Sequence, residues 1–164
     1  MSARTLNPRP LTGEAFAPFG EVIEAGGQPR LINEGRTQRF HDLAALDCET
    51  AGGRAIVSIF RSAPLQLPLT LKVMENHPMA SQAFMPLSGR PYLVVVAPAG
   101  AFEAGALQAF VARPTQGVNI RRGVWHHFNL ALGAESDFLV IDREGSGDNL
   151  EEIMLTETII LAAP

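Results

Sequence analysis

Glu75, His77 and His126 are the strongest candidates for a reactive site. Glu75 and His77 stand two residues apart at the end of an apolar run, and His126 follows later beside a second histidine, His127. Carboxylates and imidazoles exchange protons near neutral pH, and both bind divalent metal ions. Because side chains alternate between the two faces of a strand, Glu75 and His77 share a face, whereas His126 and His127 point to opposite faces. The pattern predicts an acid–base or metal site formed by Glu75, His77 and His126.

Gln82 and Arg61 are expected to complete this site. Gln82 lies five residues after His77, and its side-chain oxygen can contact a substrate or a metal ion; a structural hydrogen bond to a turn is the alternative. Arg61 ends a strand predicted over 54–61, on the same parity as Ile59. A guanidinium forks onto a carboxylate, so we expect Arg61 to bind an acidic substrate, with a surface ion pair as the alternative.

Other polar residues are given structural roles. We expect His127 on the outer face or in a subunit contact, and His41 in the core or in a dimer contact. Arg143 stands between two acidic residues, which favours a surface ion pair. Trp125 is expected to pack in the protein interior.

Short strands are the elements that must position these residues. Thr12 is predicted to cap a short helix that ends at Gly20, and 40–46 is a candidate helical turn. The run Tyr92–Ala97 is apolar on both faces, as in a strand covered on both sides. Apolar runs separated by Gly, Pro, Asn or Asp predict strands at about 21–24, 54–61, 67–77, 81–87, 91–98, 107–113, 117–121, 123–130, 136–143 and 153–161. This spacing is typical of a β-sandwich or barrel.

Length, charge and cysteine content exclude several classes of protein. A chain of 164 residues predicts a single domain over 1–164. A net charge of −4 argues against nucleic acid as a partner. No apolar run is long enough for a transmembrane helix, so we expect no membrane association. Cys48 is alone, which excludes an internal disulfide and favours a cytoplasmic location.

Four of the candidate residues also stand at the spacing of the two cupin motifs. In cupins the first motif runs His-x-His, then Glu, then Gly, and the second motif carries a later His. Here Glu75 stands in the first His place, His77 in the second, Gln82 in the Glu place and His126 in the second motif. The chain therefore resembles a cupin in which two of the four metal ligands are replaced. Two imidazoles, a carboxylate and an amide oxygen can still hold a divalent ion, and we expect weak binding.

Six blocks of sequence carry a closer resemblance, from near residue 5 to near residue 150. They are Phe40-His41-Asp42-Leu43, Glu75-Asn76-His77-Pro78, Gln82-Ala83-Phe84-Met85-Pro86-Leu87, Gly117-Val118-Asn119, Val124-Trp125-His126-His127 and Asp137-Phe138-Leu139-Val140-Ile141-Asp142-Arg143. In this order they resemble the ureidoglycolate lyase family, also called ureidoglycolate hydrolase. The resemblance implies an all-β, cupin-like double-stranded β-helix barrel with a short N-terminal helix, assembled as a homodimer. It suggests Ni²⁺ as the metal ion.

The activity that this resemblance implies is cleavage of (S)-ureidoglycolate to glyoxylate and urea, in allantoin catabolism. Such an elimination needs a base for the hydroxyl proton and an acid for the departing nitrogen, which Glu75, His77 and His126 can supply. One alternative is an amidohydrolase that releases ammonia from the same substrate. A second is a non-catalytic cupin that binds a small acid as a sensor. A metal-dependent oxygenase is disfavoured because Glu75 and Gln82 replace its usual ligands.

Overall fold

A computed structural model of the protein describes residues 3–164 and shows an all-β structure with one short helix, which confirms the predicted fold class. The helix, α1, covers Gly13–Phe16. Single 3₁₀ turns lie at Thr50–Gly52 and Ala104–Ala106. The strands are β1 (Arg4–Leu6), β2 (Arg9–Pro10), β3 (Gly20–Ile23), β4 (Arg30–Ile32), β5 (Thr37–Arg39), β6 (Arg54–Ser62), β7 (Leu69–Asn76), β8 (Gln82–Pro86), β9 (Tyr92–Ala97), β10 (Gln108–Ala112), β11 (Gly117–Ile120), β12 (Trp125–His126), β13 (Leu130–Ala131), β14 (Ser136–Glu144) and β15 (Glu151–Leu161). No helix in residues 3–164 has the length and apolar character needed to cross a membrane.

Two curled sheets form the cupin-like body of the molecule. The larger sheet has the order β1-β15-β7-β12-β9-β10-β2, with β13 also paired to β9. The smaller sheet has the order β3-β11-β8-β14-β6, and β4 and β5 form a separate hairpin. Neighbouring strands are antiparallel except for the pairs β1–β15 and β10–β2. The site described below lies between β7 and β12 of the larger sheet and β8 of the smaller one.

Strand β9 is buried on both faces, as its continuous apolar run predicts. Tyr92, Val94 and Val96 belong to a core cluster that also contains residues of the smaller sheet. Leu93 and Val95 belong to a second cluster on the other face of the larger sheet. The large sheet is therefore covered on both sides at β9.

The start of the chain closes one end of the core. Thr12 caps α1, as predicted, because its Oγ1 accepts a hydrogen bond from Ala15 N at 3.1 Å. Phe16 and Phe19 then pack against Phe110 with ring centroids 5.6 and 6.2 Å apart. The helix is shorter than predicted, since its regular turn ends at Phe16.

Two local predictions are wrong, and one hairpin was missed. The segment 40–46 forms no helical turn; it is held instead by hydrogen bonds from Ala45 N to Glu21 and from Asn119 to Ala45 O. The strand predicted over 123–130 is broken into β12 and β13, with Phe128 exposed at the break. The β4–β5 hairpin was not predicted, because its residues are exposed and show no alternation of apolar and polar side chains.

Candidate active site

Glu75, His77 and His126 meet at one end of the larger sheet. Glu75 lies near the end of β7, and the β7–β12 ladder places His126 directly opposite it. His77 follows β7 by one residue. One potential ligand atom of each of the three residues lies within 4.8 Å of those of the others. The juxtaposition follows from strand pairing, because directly opposed residues on neighbouring strands share a face.

His126 is a buried imidazole with a free lone pair. Its Nδ1 donates to His127 O at 3.2 Å, because a carbonyl oxygen can only accept. Its Nε2 is buried and has no hydrogen-bond partner among residues 3–164. Burial, together with the neighbouring His77, lowers the pKa of His126 to about 3. His126 is therefore neutral at physiological pH and offers the site an acceptor atom instead of a proton.

His77 and Gln82 face each other with acceptor atoms. His77 Nδ1 donates to Asn149 O at 2.7 Å, so a neutral ring carries its lone pair on Nε2. That Nε2 lies 3.1 Å from Gln82 Oε1. The amide is oriented by Asp142, because Gln82 Nε2 donates to Asp142 Oδ2 at 3.2 Å and a carboxylate can only accept. Two lone pairs this close require a shared proton or a cation between them.

Glu75 is the carboxylate of the cluster. Its side chain is 24% exposed, and its Oε1 lies 3.8 Å from His126 Nδ1. Burial raises the pKa of Glu75, the neighbouring His77 opposes that rise, and Glu152 on β15 adds to it. A raised pKa makes this carboxylate a stronger base than a solvated one, which suits proton abstraction near neutral pH.

A cavity of about 270 Å³ opens beside the cluster. Its polar wall contains Glu75, Gln82 and Asn129, whereas much of the rest is apolar, with Phe60 and Phe84 among its members. Glu75 is the one charged side chain in the lining that the structure describes. The cavity has the size for a small molecule, and two of its lining residues adjoin the histidines: Glu75 lies opposite His126 and Gln82 contacts His77.

Arg61 does not reach this cavity, so its expected placement is wrong. It stands opposite Asp137 in the β6–β14 ladder, and its guanidinium forks onto that carboxylate at 2.8 and 2.9 Å. The side chain is 65% exposed, and the pair holds the pKa of Asp137 below its ordinary value. The opposite parity of β6 faces the cavity, through Phe60 and Ser62. Arg61 therefore forms a surface ion pair, which was the alternative prediction for this residue.

The remaining polar residues lie away from the cluster. His127 does not join it; the ring is buried and packs against Phe128 with centroids 3.9 Å apart. Trp125 packs on Phe102 and donates to Gly100 O. His41 is exposed, so its predicted core position is wrong. Arg143 is buried instead of lying in a surface ion pair, because its guanidinium binds the carbonyl oxygens of Thr50 and Ser146.

Two residues of the site were not predicted from the sequence. Asp142 continues the inward parity of Phe138 and Val140 on β14, so strand alternation contained a signal for it. Asn129 lies in the break between β12 and β13, and no motif or periodicity marks it. In the structure, Asp142 is identified by its hydrogen bond to Gln82, and Asn129 by its place in the cavity lining.

The fold is that of a cupin-like protein, and one end of its larger sheet brings a carboxylate and two imidazoles together beside a cavity of small-molecule size. The family model described as ureidoglycolate lyase matches residues 3–162. A protein of Burkholderia mallei (strain NCTC 10229), named ureidoglycolate lyase, is 53% identical over 159 residues, covering 96% of this chain and 94% of its own. A protein of the same name from Rhizobium etli (strain CIAT 652) is 52% identical, covering 97% of this chain and 96% of its own length. Another of that name, from Pseudomonas putida (strain W619), is 51% identical and covers 96% of this chain and 96% of its own length. The chain belongs to the ureidoglycolate lyase family, which confirms the resemblance of its sequence blocks.

Proposed function

We propose that this protein is a ureidoglycolate lyase that splits (S)-ureidoglycolate into glyoxylate and urea. The observation that carries the proposal is the meeting of Glu75, His77 and His126 at one end of the larger sheet, with Glu75 in the wall of a cavity, in a chain whose relatives carry that name. The substrate is a carbinolamide, whose carbon–nitrogen bond breaks once the hydroxyl proton is removed and the departing nitrogen is protonated. The reaction needs proton transfer and orientation, and it needs no oxidant.

Glu75 is the group best suited to move the proton. Its raised pKa favours accepting the hydroxyl proton as the carbonyl of glyoxylate forms. The protonated carboxyl then returns this proton to the departing urea nitrogen, which it can reach because the hydroxyl oxygen and this nitrogen are bonded to the same carbon. The cycle is balanced: one O–H and one C–N bond break, one C=O and one N–H bond form, and Glu75 is restored.

We further propose that His77, His126, Gln82 and Glu75 can hold a divalent ion, with Ni²⁺ the ion that the family suggests. Both histidines donate Nδ1–H to backbone carbonyl oxygens, the arrangement that leaves Nε2 for a metal. The lone pair of His126 is unpartnered within residues 3–164, and that of His77 faces another acceptor. A bound cation would supply the positive charge that a substrate carboxylate requires.

Three finer expectations accompany this function. A role in allantoin catabolism follows from the substrate. A homodimer is supported by the exposed apolar residues Val57 and Ile59 on the edge strand β6. A cytoplasmic location stays a prediction from the lone, buried Cys48.

Product analysis tests the activity. The purified protein is supplied with racemic ureidoglycolate, and urea, glyoxylate and ammonia are measured separately against a protein-free control, because the substrate also decays without enzyme. We expect urea and glyoxylate to rise together above the control. Ammonia in place of urea would show an amidohydrolase, and binding without turnover would show a sensor; either result contradicts the proposal.

Chelation tests the metal. The protein is treated with a strong chelator, its metal content is measured by elemental analysis, and Ni²⁺ is then added back. We expect activity to fall on chelation and to return with Ni²⁺. Full activity in protein shown to be metal-free would mean that the four residues act without an ion.

A further inference from the structure

Asp142 is a partly buried carboxylate that lies directly behind Gln82. The β8–β14 ladder runs to Ile141 opposite Ala83, and the next position brings Asp142 against Gln82. The hydrogen bond from Gln82 Nε2, at 3.2 Å, is the one that the Asp142 side chain accepts in residues 3–164. No ion pair of these residues includes Asp142. A carboxylate withdrawn from water without a positive partner costs free energy, so its position beside the cluster calls for an explanation in function.

This carboxylate decides which end of the Gln82 amide faces the cluster. A carboxylate accepts hydrogen bonds and cannot donate them, so the NH₂ of Gln82 points to Asp142 and the oxygen points away from it. On that other side, Gln82 Oε1 lies 3.1 Å from His77 Nε2. An amide turned the other way round would donate its NH₂ to this nitrogen and occupy the lone pair that a metal ion needs.

We propose that Asp142 is a positioning residue for the divalent ion: it holds Gln82 with its oxygen towards His77 and so keeps this end of the cluster ready for a cation. This inference rests on the proposed function and on the metal site within it. The two ends of an amide are nearly equal in size, so packing alone does not fix its orientation, whereas the group behind it does. Strands β8 and β14 both lie inside the smaller sheet, which keeps the two side chains in place.

Calorimetric titration of metal-free protein with Ni²⁺ tests the assignment. Asp142→Asn keeps the size of the side chain but offers Gln82 either an oxygen or an NH₂, so the Gln82 amide is no longer held one way round. We expect the Ni²⁺ affinity to fall by about 10–100-fold, the usual effect of losing a group that orients a metal ligand. Asp137→Asn makes the same chemical change on the same strand, in the surface ion pair with Arg61, and should leave the Ni²⁺ affinity unchanged.

A double-mutant cycle shows whether Asp142 acts through Gln82 or through its charge alone. Gln82→Leu keeps most of the side-chain volume and removes the amide, so nothing remains for Asp142 to orient. We expect Asp142→Asn to have almost no effect on the Ni²⁺ affinity in that background. An equal loss of affinity in both backgrounds would show an effect of charge at a distance, and unchanged affinity in Asp142→Asn alone would show no effect; either result overturns the inference.

Stability is measured alongside affinity, because a damaged fold would also lose the metal. Thermal melts of the metal-free variants establish that each is folded before its Ni²⁺ titration is compared with that of the wild type. Gln82→Ala and Asp142→Ala serve where the first variant at either position does not fold.

The titration and the product analysis together distinguish failure of the inference from failure of the proposed function. Wild-type protein that makes urea from ureidoglycolate but binds no Ni²⁺ would overturn the inference and keep the lyase. Wild-type protein that binds Ni²⁺ and shows the coupling between Asp142 and Gln82, but makes no urea, would reject the lyase and keep the positioning role. Wild-type protein that does neither would reject both.

Discussion

His126 keeps a buried lone pair without a hydrogen-bond partner in the described residues, and this is an expensive arrangement. Its pKa of about 3 shows that protonation does not relieve the cost at physiological pH. The contact of 3.1 Å between His77 Nε2 and Gln82 Oε1 likewise needs a proton or a cation between the two atoms. A cluster selected for stability alone would pair these atoms with donors, whereas one prepared for a cation or a substrate leaves them free.

Replacing Glu75 with glutamine should remove the base and keep the shape of the side chain. We expect Glu75→Gln to lower kcat by about 10²–10⁴-fold, the usual range for a lost general acid or base, with a smaller change in KM. Urea release above the uncatalysed rate is the measurement. Glu144→Gln, a surface carboxylate paired with Arg54, is the matched control and should keep full activity. A Glu75→Gln enzyme with normal kcat would assign the proton transfer to another group.

The two adjacent histidines should respond differently to substitution. His126→Gln removes the free Nε2 lone pair, so both activity and Ni²⁺ affinity should fall, the latter by at least tenfold. His127→Gln alters a ring that packs on Phe128 outside the cluster, and we expect a loss of stability of about 0.5–3 kcal/mol with metal affinity retained. Titration with Ni²⁺ and thermal melts measure the two effects. Loss of metal affinity in the folded His127 variant alone would contradict this assignment.

Most strands were predicted well, including β7, which has one apolar face, and β9, which is apolar on both faces. Most of the strands from β6 to β15 lie within a residue or two of the predicted ranges, and Glu75, His77 and His126 come together as strand alternation requires. The face of β6 that lines the cavity was predicted wrongly, because both faces of this strand carry apolar residues. Hydrophobicity therefore did not show which of the two faces points inwards. Phe60 stands opposite the buried Phe138, and this cross-strand pair, invisible in the sequence, turns Arg61 outwards.

Broken elements account for the rest of what was missed at the site. The segment 123–130 reads as a single strand in the sequence and gives no sign that β12 ends at His126, yet that break brings Asn129 to the cavity. Asp142 acts through Gln82, and a side chain that orients another leaves no spacing motif. Local pattern therefore indicated which three candidate residues come together, whereas their supporting contacts depended on long-range pairing.

Gly53 lies where two loops are joined by a buried arginine, and its substitution tests that junction. Arg143 donates to Thr50 O and Ser146 O, and a Cβ on Gly53 would fall against the Arg143 guanidinium and 2.7 Å from Cys48 O. We expect Gly53→Ala to destabilise the protein by about 1–3 kcal/mol, as overpacking commonly does, in a chemical-denaturation measurement. Gly105→Ala is the control, because a Cβ at Gly105 would meet no atom of residues 3–164 within 4 Å. Equal stability of the two variants would show that the junction adjusts freely.

The molecule as a whole leaves an apolar strip on one edge. Strand β6 ends the smaller sheet and is nine residues long, so its outer edge carries unpaired backbone groups in the described chain. Val57 and Ile59 on the same strand are 66% and 54% exposed. Long apolar edge strands are prone to pair with other chains and are usually covered. A second copy of this chain would cover this edge in the homodimer that the family implies.

Ile59→Lys should therefore separate the dimer into monomers. A lysine buried in a subunit contact loses its hydration without a partner, whereas on a free surface it costs almost nothing. Light scattering on a sizing column measures the mass in solution. We expect the wild type to have the mass of two chains and Ile59→Lys that of one. The difference in mass between the two proteins should shrink as the protein concentration rises. Thr158→Lys adds the same charge to an exposed position of β15 and should stay dimeric. A monomeric wild type would contradict the homodimer, and a dimeric Ile59→Lys would place the contact elsewhere on the surface.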